Sequence, residues 1–460
     1  MPASTSPIHA EIRATLALAV PLAGANLAQM AMGLTNAIVV GRLGGASLAA
    51  AGLGAGFYFT LVMICQGVLV AVAPLAAHAT GAGDEPGAAR VAGAGMVLAA
   101  LLALPVFALL TIAPRLLTLL GYDAALAADI TDFLSAICWA APAFLAFAVL
   151  RAMLSAAARV RPIMFAVMVA VPANAVLNWA LVFGHFGLPA LGILGSGFST
   201  AIVQWLMTLG LAAYALLPTR SRQRLRTPSR VEFARIIRVG LPISGMLALE
   251  VGVFNAAGVL MGLLGADALG AHQLAINFAS LTFMVPLGIA QAATVRVAYA
   301  LGAGAPAAAR RAGFVALTLG GALMLAPSVL MLTMPLTIAG VYLDLADPGN
   351  HGTAVIAVQL LAIAAVFQVF DGVQVIAVGA LRGYRDTAVP MLIGALGYWG
   401  AGFAASWALA FPLGYGATGL WWGLALGLAV VALLLGLRLH QRSRLARYGF
   451  ASPEAEALPG

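Results

Sequence analysis

The sequence predicts an all-α membrane protein with twelve transmembrane helices in two pseudo-symmetric six-helix bundles. Three observations predict it. Of 460 residues, 63% are hydrophobic and 8% charged, against about 25% charged in a soluble globular domain, so the apolar surface requires a bilayer. A hydrocarbon core about 30 Å thick takes about 20 apolar residues per spanning helix. Twelve such runs stand between polar breaks, six on each side of about position 228, and the two sets repeat each other at an offset of 221.

The first run follows a polar start, residues 1–12, and continues to about Val40 without a small-residue cleavage pattern. It therefore reads as a retained helix and not as a signal peptide. The later runs come in pairs that end at arginine-bearing breaks. Arg90 follows the second run, Arg159 and Arg161 the fourth, and seven arginines from Arg220 to Arg238 the sixth. Arg296, Arg310 and Arg311 follow the eighth run, and Arg382 and Arg385 the tenth. The tails add Arg13, Arg438, Arg442, Arg444 and Arg447.

All 23 basic residues are arginine, giving a net charge of +8. The opposite face has Arg42 and Arg115, with Arg151 near a helix end, and gathers Asp123, Asp267, Asp344 and Asp347. The positive-inside rule places both termini in the cytoplasm, as an even number of spans requires. No aromatic residues or soluble domain stand between the arginines, so nucleic acid is not an expected partner. Cys65 and Cys138 fall inside apolar runs and read as packing residues, not as a disulfide.

The repeat is specific. Pro21 aligns with Pro242, LGGASLAAAGL at 43–53 with LGADALGAHQL at 264–274, and Gly81-Ala-Gly83 with Gly302-Ala-Gly304. Each repeat has six spans, so both halves enter the membrane from the same side as parallel repeats, an arrangement that suits alternating access. The expected domains are a bundle at 1–217, a cytoplasmic arginine-rich linker at 218–238, a second bundle at 239–447 and a disordered cytoplasmic tail at 448–460. Glycines 52, 54, 56, 258, 262 and 265 read as close-packing positions. Pro21, Pro142, Pro172, Pro242, Pro286 and Pro390 read as kinks, and the matched pair Pro21 and Pro242 also as a bending element.

Two acids lie deep in apolar runs, Glu250 and Asp371. A carboxylate at a helix centre costs about 2.5–3.5 kcal/mol on insertion scales, and residues retained at that cost usually mark ion or substrate pathways. Gln368 and Gln374 stand three residues before and after Asp371 and share its helical face. A carboxyl group withdrawn from water readily trades a proton or Na⁺ near neutral pH, and a hydrophobic cation can occupy the same charge.

Supporting polar candidates for the cation or substrate are Gln29, Asn36, Asn174, Asn178, Asn255, Gln273 and Asn277. Phe254, Phe278 and Phe283 are candidate aromatic contacts for a cationic substrate. No HExxH, GxSxG or P-loop pattern occurs, and the six histidines lack metal-ligand spacing, so neither an enzyme nor a resident metal or cofactor is expected. The only ion expected is a transient Na⁺ or H⁺ at Glu250 and Asp371. A polytopic membrane enzyme is the rival of a different class, because paired acids also suit acid–base work.

At PLAGANLAQMAMGLTNAIVVGRLG, GLPISGMLALEVGVFN and FDGVQVIAVGALRGYRD (21–44, 240–255 and 370–386) the chain resembles the multidrug and toxic compound extrusion (MATE) transporters of the NorM-like bacterial branch. The resemblance spans nearly the whole chain. It implies twelve helices in two bundles, a bacterial inner-membrane location, export of cationic lipophilic drugs in exchange for Na⁺ or H⁺, and cation coupling at Glu250 and Asp371. A monomer is expected.

One position departs from the branch, which commonly has an acid where this chain has Asn36. An amide cannot release a proton near neutral pH, though it can lend an oxygen to Na⁺. The nearest rival by fold is a lipid-linked precursor flippase of the same superfamily, which would be expected to line its cavity with cationic residues; here the deep charges are acidic. At the 221 offset Glu250 falls opposite Gln29 and Asp371 opposite Leu150, so both deep acids belong to the second half.

Overall fold

The structure is a computed structural model that describes residues 7–119, 123–216 and 227–447. Residues 218–226 of the expected linker and the whole expected tail lie outside these residues, while 230–238 of that linker is helical. Twelve apolar spans occur among the described residues when one bent helix pair counts as a single span. They are α1 (Pro7–Gly41), α2 (Gly45–Gly81), α3 (Glu85–Leu119), α4 (Ala124–Ile137 with Ala140–Ala156), α5 (Arg161–Phe183) and α6 (Ile193–Leu216). The second six are α7 (Arg230–Leu264), α8 (Ala266–Gly302), α9 (Pro306–Thr333), α10 (His351–Gly383), α11 (Ala388–Ala410) and α12 (Gly416–Arg447). A short helix, Pro335–Tyr342, lies between α9 and α10.

Large apolar side chains point outward along the spans, as with Leu104 at 66%, Leu263 at 72% and Leu396 at 71% exposure. Such a surface is stable in lipid and not in water.

Two breaks within spans fall four residues before a proline. In α4 the two segments meet at 44°. Pro142 lacks an N–H and crowds the carbonyl four residues back, at Cys138, which is where the first segment ends. Pro74 acts likewise on Val70, where α2 is interrupted between Leu69 and Val72. Pro21, Pro172, Pro242 and Pro286 lie inside continuous helices.

The repeat read from the sequence recurs in the backbone. Gly44 and Gly265, 221 residues apart, precede α2 and α8 with φ of 127° and 119°, values that favour glycine. After the same helices Gly83 and Gly304 turn left-handed at 76° and 68°. There Asp84 N–H donates to the Ala79 carbonyl and Ala305 N–H to the Ala300 carbonyl, both at 2.9 Å.

Contacts divide the chain into two compact units, Gly24–Ser244 and Met1–Ala23 with Gly245–Gly460, called here the first and second units. The sequence divides the chain at the linker, whereas these borders fall inside α1 and α7. The cause is close packing by another matched pair of glycines. In the second unit a Cβ on Gly288 would lie 2.7 Å from the Ala23 nitrogen, and in the first a Cβ on Gly67 would lie 2.6 Å from the Ser244 Cα. Each half thus holds the opening stretch of the other half's first helix.

An ion pair secures each opening stretch. Arg296 donates to both carboxylate oxygens of Glu11 at 2.9 and 2.7 Å. Arg90 Nε donates to Glu232 at 3.1 Å. Glu11 and Glu232 are themselves 221 residues apart and both buried.

Of the glycines read as packing positions, Gly54 is tight, with Phe133 2.7 Å from its would-be Cβ, while Gly52 and Gly56 face open space. Cys65 and Cys138 are free thiols.

Candidate functional site

The second unit brings Glu250 and Asp371 together. Gln374, one turn after Asp371 on α10, sits between them. Its Nε2 donates to Glu250 Oε1 at 3.0 Å and to Asp371 Oδ1 at 3.2 Å, so these two carboxylate oxygens lie no more than about 6 Å apart. Its Oε1 accepts from the Tyr398 hydroxyl at 2.7 Å. That bond fixes which end of the amide faces the acids, because a phenol that donates to the oxygen leaves the NH₂ group for the carboxylates.

Each member sits where its helix puts it. Glu250 comes from the middle of α7, Asp371 and Gln374 from one face of α10, and Tyr398 from α11, where Ala395–Phe403 forms a π-helix. A π-helical stretch shifts the side chains out of the 3.6-residue register, and such stretches are often found at functional sites. Asp371, Gln374 and Tyr398 are buried at 7%, 1% and 2% exposure, and Glu250 is half-buried. Arg382 is a cationic group within electrostatic reach of Glu250.

Around the cluster, Gln368 donates to Thr282 Oγ1 and to the Ala279 carbonyl on α8, which ties α10 to its neighbour. Phe254 and Phe278 pack partly buried against the unit's core, and Phe254 lines a small cavity with Tyr398. Phe283 is half-buried, while Asn255, Gln273 and Asn277 are exposed on the unit's surface.

The first unit holds a polar cluster of different character. Asn178 Nδ2 donates to Asn36 Oδ1 at 2.5 Å, and Asn36 Nδ2 donates to Thr200 Oγ1 at 3.0 Å. Asn174 and Asn178 are at most 1% exposed. The Asn174 and Asn178 side-chain oxygens have no hydrogen-bond partner in the structure. These groups are amides and hydroxyls, so the cluster can offer oxygens but no titratable proton. Gln29, the counterpart of Glu250, is half-buried on α1.

Tyr398, Thr200, Thr282 and Asn26 are absent from the candidates read from the sequence; Asn26 accepts from Arg151 Nη2 at 2.6 Å inside the first unit. Among the described residues, no group of three or more His, Cys, Asp or Glu side chains forms a metal-binding cluster.

Chemically, the Glu250–Gln374–Asp371 arrangement concentrates negative charge. Two carboxylates at this separation, out of water, repel each other, and a bound monovalent cation relieves the repulsion. The shared amide uses one lone pair on each acid, leaving the others free to coordinate.

A sequence model of the MatE family matches residues 21–180 and 242–408. The chain is 45% identical over 434 residues to a probable multidrug resistance protein NorM of Burkholderia mallei, covering 93% of this chain and 92% of that one. It is 42% identical over 443 residues to a probable multidrug resistance protein NorM of Mesorhizobium japonicum, covering 95% of each. Among solved structures, its fold is similar to an outward-facing multidrug resistance MATE family transporter of the MOP superfamily. The TM-score is 0.87 at 19% identity, covering 96% of this chain and 99% of that one.

Proposed function

The chain belongs to the MatE family, and on that premise we propose that it is a multidrug efflux transporter exporting cationic lipophilic compounds across the bacterial inner membrane in exchange for Na⁺ or H⁺. Glu250 and Asp371 hold the coupling cation. The observation that carries this reading is the single amide of Gln374 shared by two carboxylates at a buried site. With Arg382 in electrostatic reach of Glu250, the two carboxylates leave one net negative charge, which one monovalent cation neutralises, so a second finds little to bind.

Coupling and cargo cations therefore compete for the same charge. Transport requires access to this charge to alternate between the two sides of the membrane, with drug and coupling ion leaving it in turn. Neutral amides at Asn36 and Asn178 leave proton exchange to the second unit. Ethidium efflux, measured with and without an imposed Na⁺ or pH gradient, tests cargo and coupling together. Efflux driven by one of the two gradients supports the proposal, and efflux indifferent to both contradicts it.

Two variants refine the roles. Glu250→Gln keeps a hydrogen-bond acceptor for Gln374 but removes one charge, so drug resistance in cells expressing it should fall clearly without vanishing. Normal resistance would contradict the assignment. Tyr398→Phe removes only the bond that orients the Gln374 amide, worth about 1 kcal/mol. Initial rates of drug uptake in proteoliposomes should fall about five-fold at unchanged expression, and unchanged rates would remove Tyr398 from the site.

A further inference from the structure

We propose that the arginine-rich end of the second unit, where α9 begins and α10 and α12 end, is a binding site for the phosphate group of an acidic phospholipid. The three helices meet there: a Cβ on Gly313 of α9 would lie 3.6 Å from Ala380 of α10 and 3.8 Å from Leu439 of α12. Asp386, 6% exposed, is the one carboxylate in the ion-pair cluster that follows α10. Two guanidinium groups share its Oδ2, Arg438 Nε at 2.8 Å and Arg442 Nε at 3.1 Å. Tyr384 lies within electrostatic reach of Arg442 and of a third cation, Arg310.

Donors exceed acceptors here. The Tyr384 hydroxyl and Thr387 Oγ1 are buried without a hydrogen-bond partner in the structure. Buried donors and surplus positive charge are unfavourable until an anion with several acceptor oxygens meets them, and a phosphate group provides both the charge and the oxygens.

The neighbouring surface selects lipid over free phosphate. Leu434, one turn before Arg438 on the same face of α12, is 38% exposed, and Leu433 and Leu437 on the adjoining face are 64% and 59% exposed, so apolar surface flanks that guanidinium. Arg438 itself keeps 25% of its side chain exposed. Acyl chains fit against the leucines while the headgroup reaches the arginines, and basic clusters beside helix ends favour acidic lipids for the same electrostatic reason.

The corresponding turn of the first half lacks this chemistry. Ala158 and Arg385 have matching φ values of 58° and 57° after α4 and α10. The next residue is an exposed arginine, Arg159, in one case and Asp386 in the other. The backbone turn is shared and the anchoring carboxylate is not.

The test is the thermal unfolding midpoint of the full chain in phosphatidylcholine nanodiscs with and without phosphatidylglycerol, and separately in detergent with inorganic phosphate. A ligand that binds the folded state raises the midpoint. Phosphatidylglycerol should raise it in the unaltered protein, and most of the rise should be lost in Arg438→Gln. Tyr384→Phe, which removes one hydroxyl and preserves the ring packing, should lose part of the rise. An equal rise in all three proteins would overturn the proposal, as would no rise in the unaltered protein. A rise with inorganic phosphate equal to that with phosphatidylglycerol would overturn the assignment to lipid.

Discussion

Asp371→Asn is expected to abolish drug-for-cation exchange in proteoliposomes while the protein still folds and inserts. Asparagine has the shape of aspartate, and its side-chain oxygen can still accept from Gln374 Nε2, now 3.2 Å from Asp371. What disappears is the charge. The remaining acid, Glu250, is already balanced by the nearby Arg382 guanidinium, so a coupling cation gains little by binding. One carboxylate about 5 Å from a monovalent cation attracts it by about 3 kcal/mol at an effective dielectric of about 20, so losing it corresponds to a loss of roughly 100-fold in cation affinity. Full exchange by the variant, at normal expression and with a normal elution profile in detergent, would remove Asp371 from the mechanism.

Gly379→Val is expected to have the largest structural effect. Gly379 lies on α10 against α8, where a Cβ would be 2.4 Å from the Ala290 carbonyl oxygen and 2.9 Å from its carbon and Cα. These are backbone atoms and cannot rotate away. One turn later on α10, Gly383 is equally close to α8, with Val297 Cβ 2.7 Å from its would-be Cβ. Thr294 Oγ1 donates to the Gly379 carbonyl at 2.7 Å across the same contact.

In lipid, helix association depends on such close approach because hydrophobic burial gives no drive between helices. Forcing the helices apart should cost about 1–3 kcal/mol from overpacking, together with the Thr294 bond. The expected result is a sharp loss of monodisperse protein in detergent chromatography. Gly436→Val on α12, where nothing lies within 4 Å, should elute normally. Equal stability of the two variants would contradict the packing account.

Most of the fold is legible in the sequence because a bilayer imposes strong rules: long apolar runs, polar breaks and arginine on one side. The 221-residue repeat goes further and correctly anticipates paired backbone features at Gly44 and Gly265 and at Gly83 and Gly304. The handover of α1 and α7 between units is not legible. It depends on Gly67 and Gly288 meeting the backbone of a distant helix, and small residues are so abundant here that spacing does not say which of them face a neighbour. Gly52 and Gly56, read as packing positions, face open space for that reason.

The candidate site divides similarly. Helical periodicity places Gln374 beside Asp371, and the cost of a buried acid singles out Glu250. The same periodicity pairs Gln273 with Asn277, yet the structure leaves both exposed, since spacing defines a face without saying where the face points. Tyr398 escapes because its helix is π-helical there and does not follow the 3.6-residue period. Asn36 and Asn178 stand out as polar residues in apolar runs, whereas Thr200 does not, because a threonine bonded to its own helix, here to the Ser196 carbonyl, is unremarkable in a membrane span.

The most direct test of the central claim, that Glu250 and Asp371 jointly hold the coupling cation, is cation release on drug binding. Purified protein in weakly buffered detergent solution would be titrated with ethidium while H⁺ release is followed, and the experiment repeated with bound ²²Na⁺ as the readout. The account predicts release of one of these ions from the unaltered protein and none from the Glu250→Gln, Asp371→Asn double variant. Undiminished release from the double variant would contradict it.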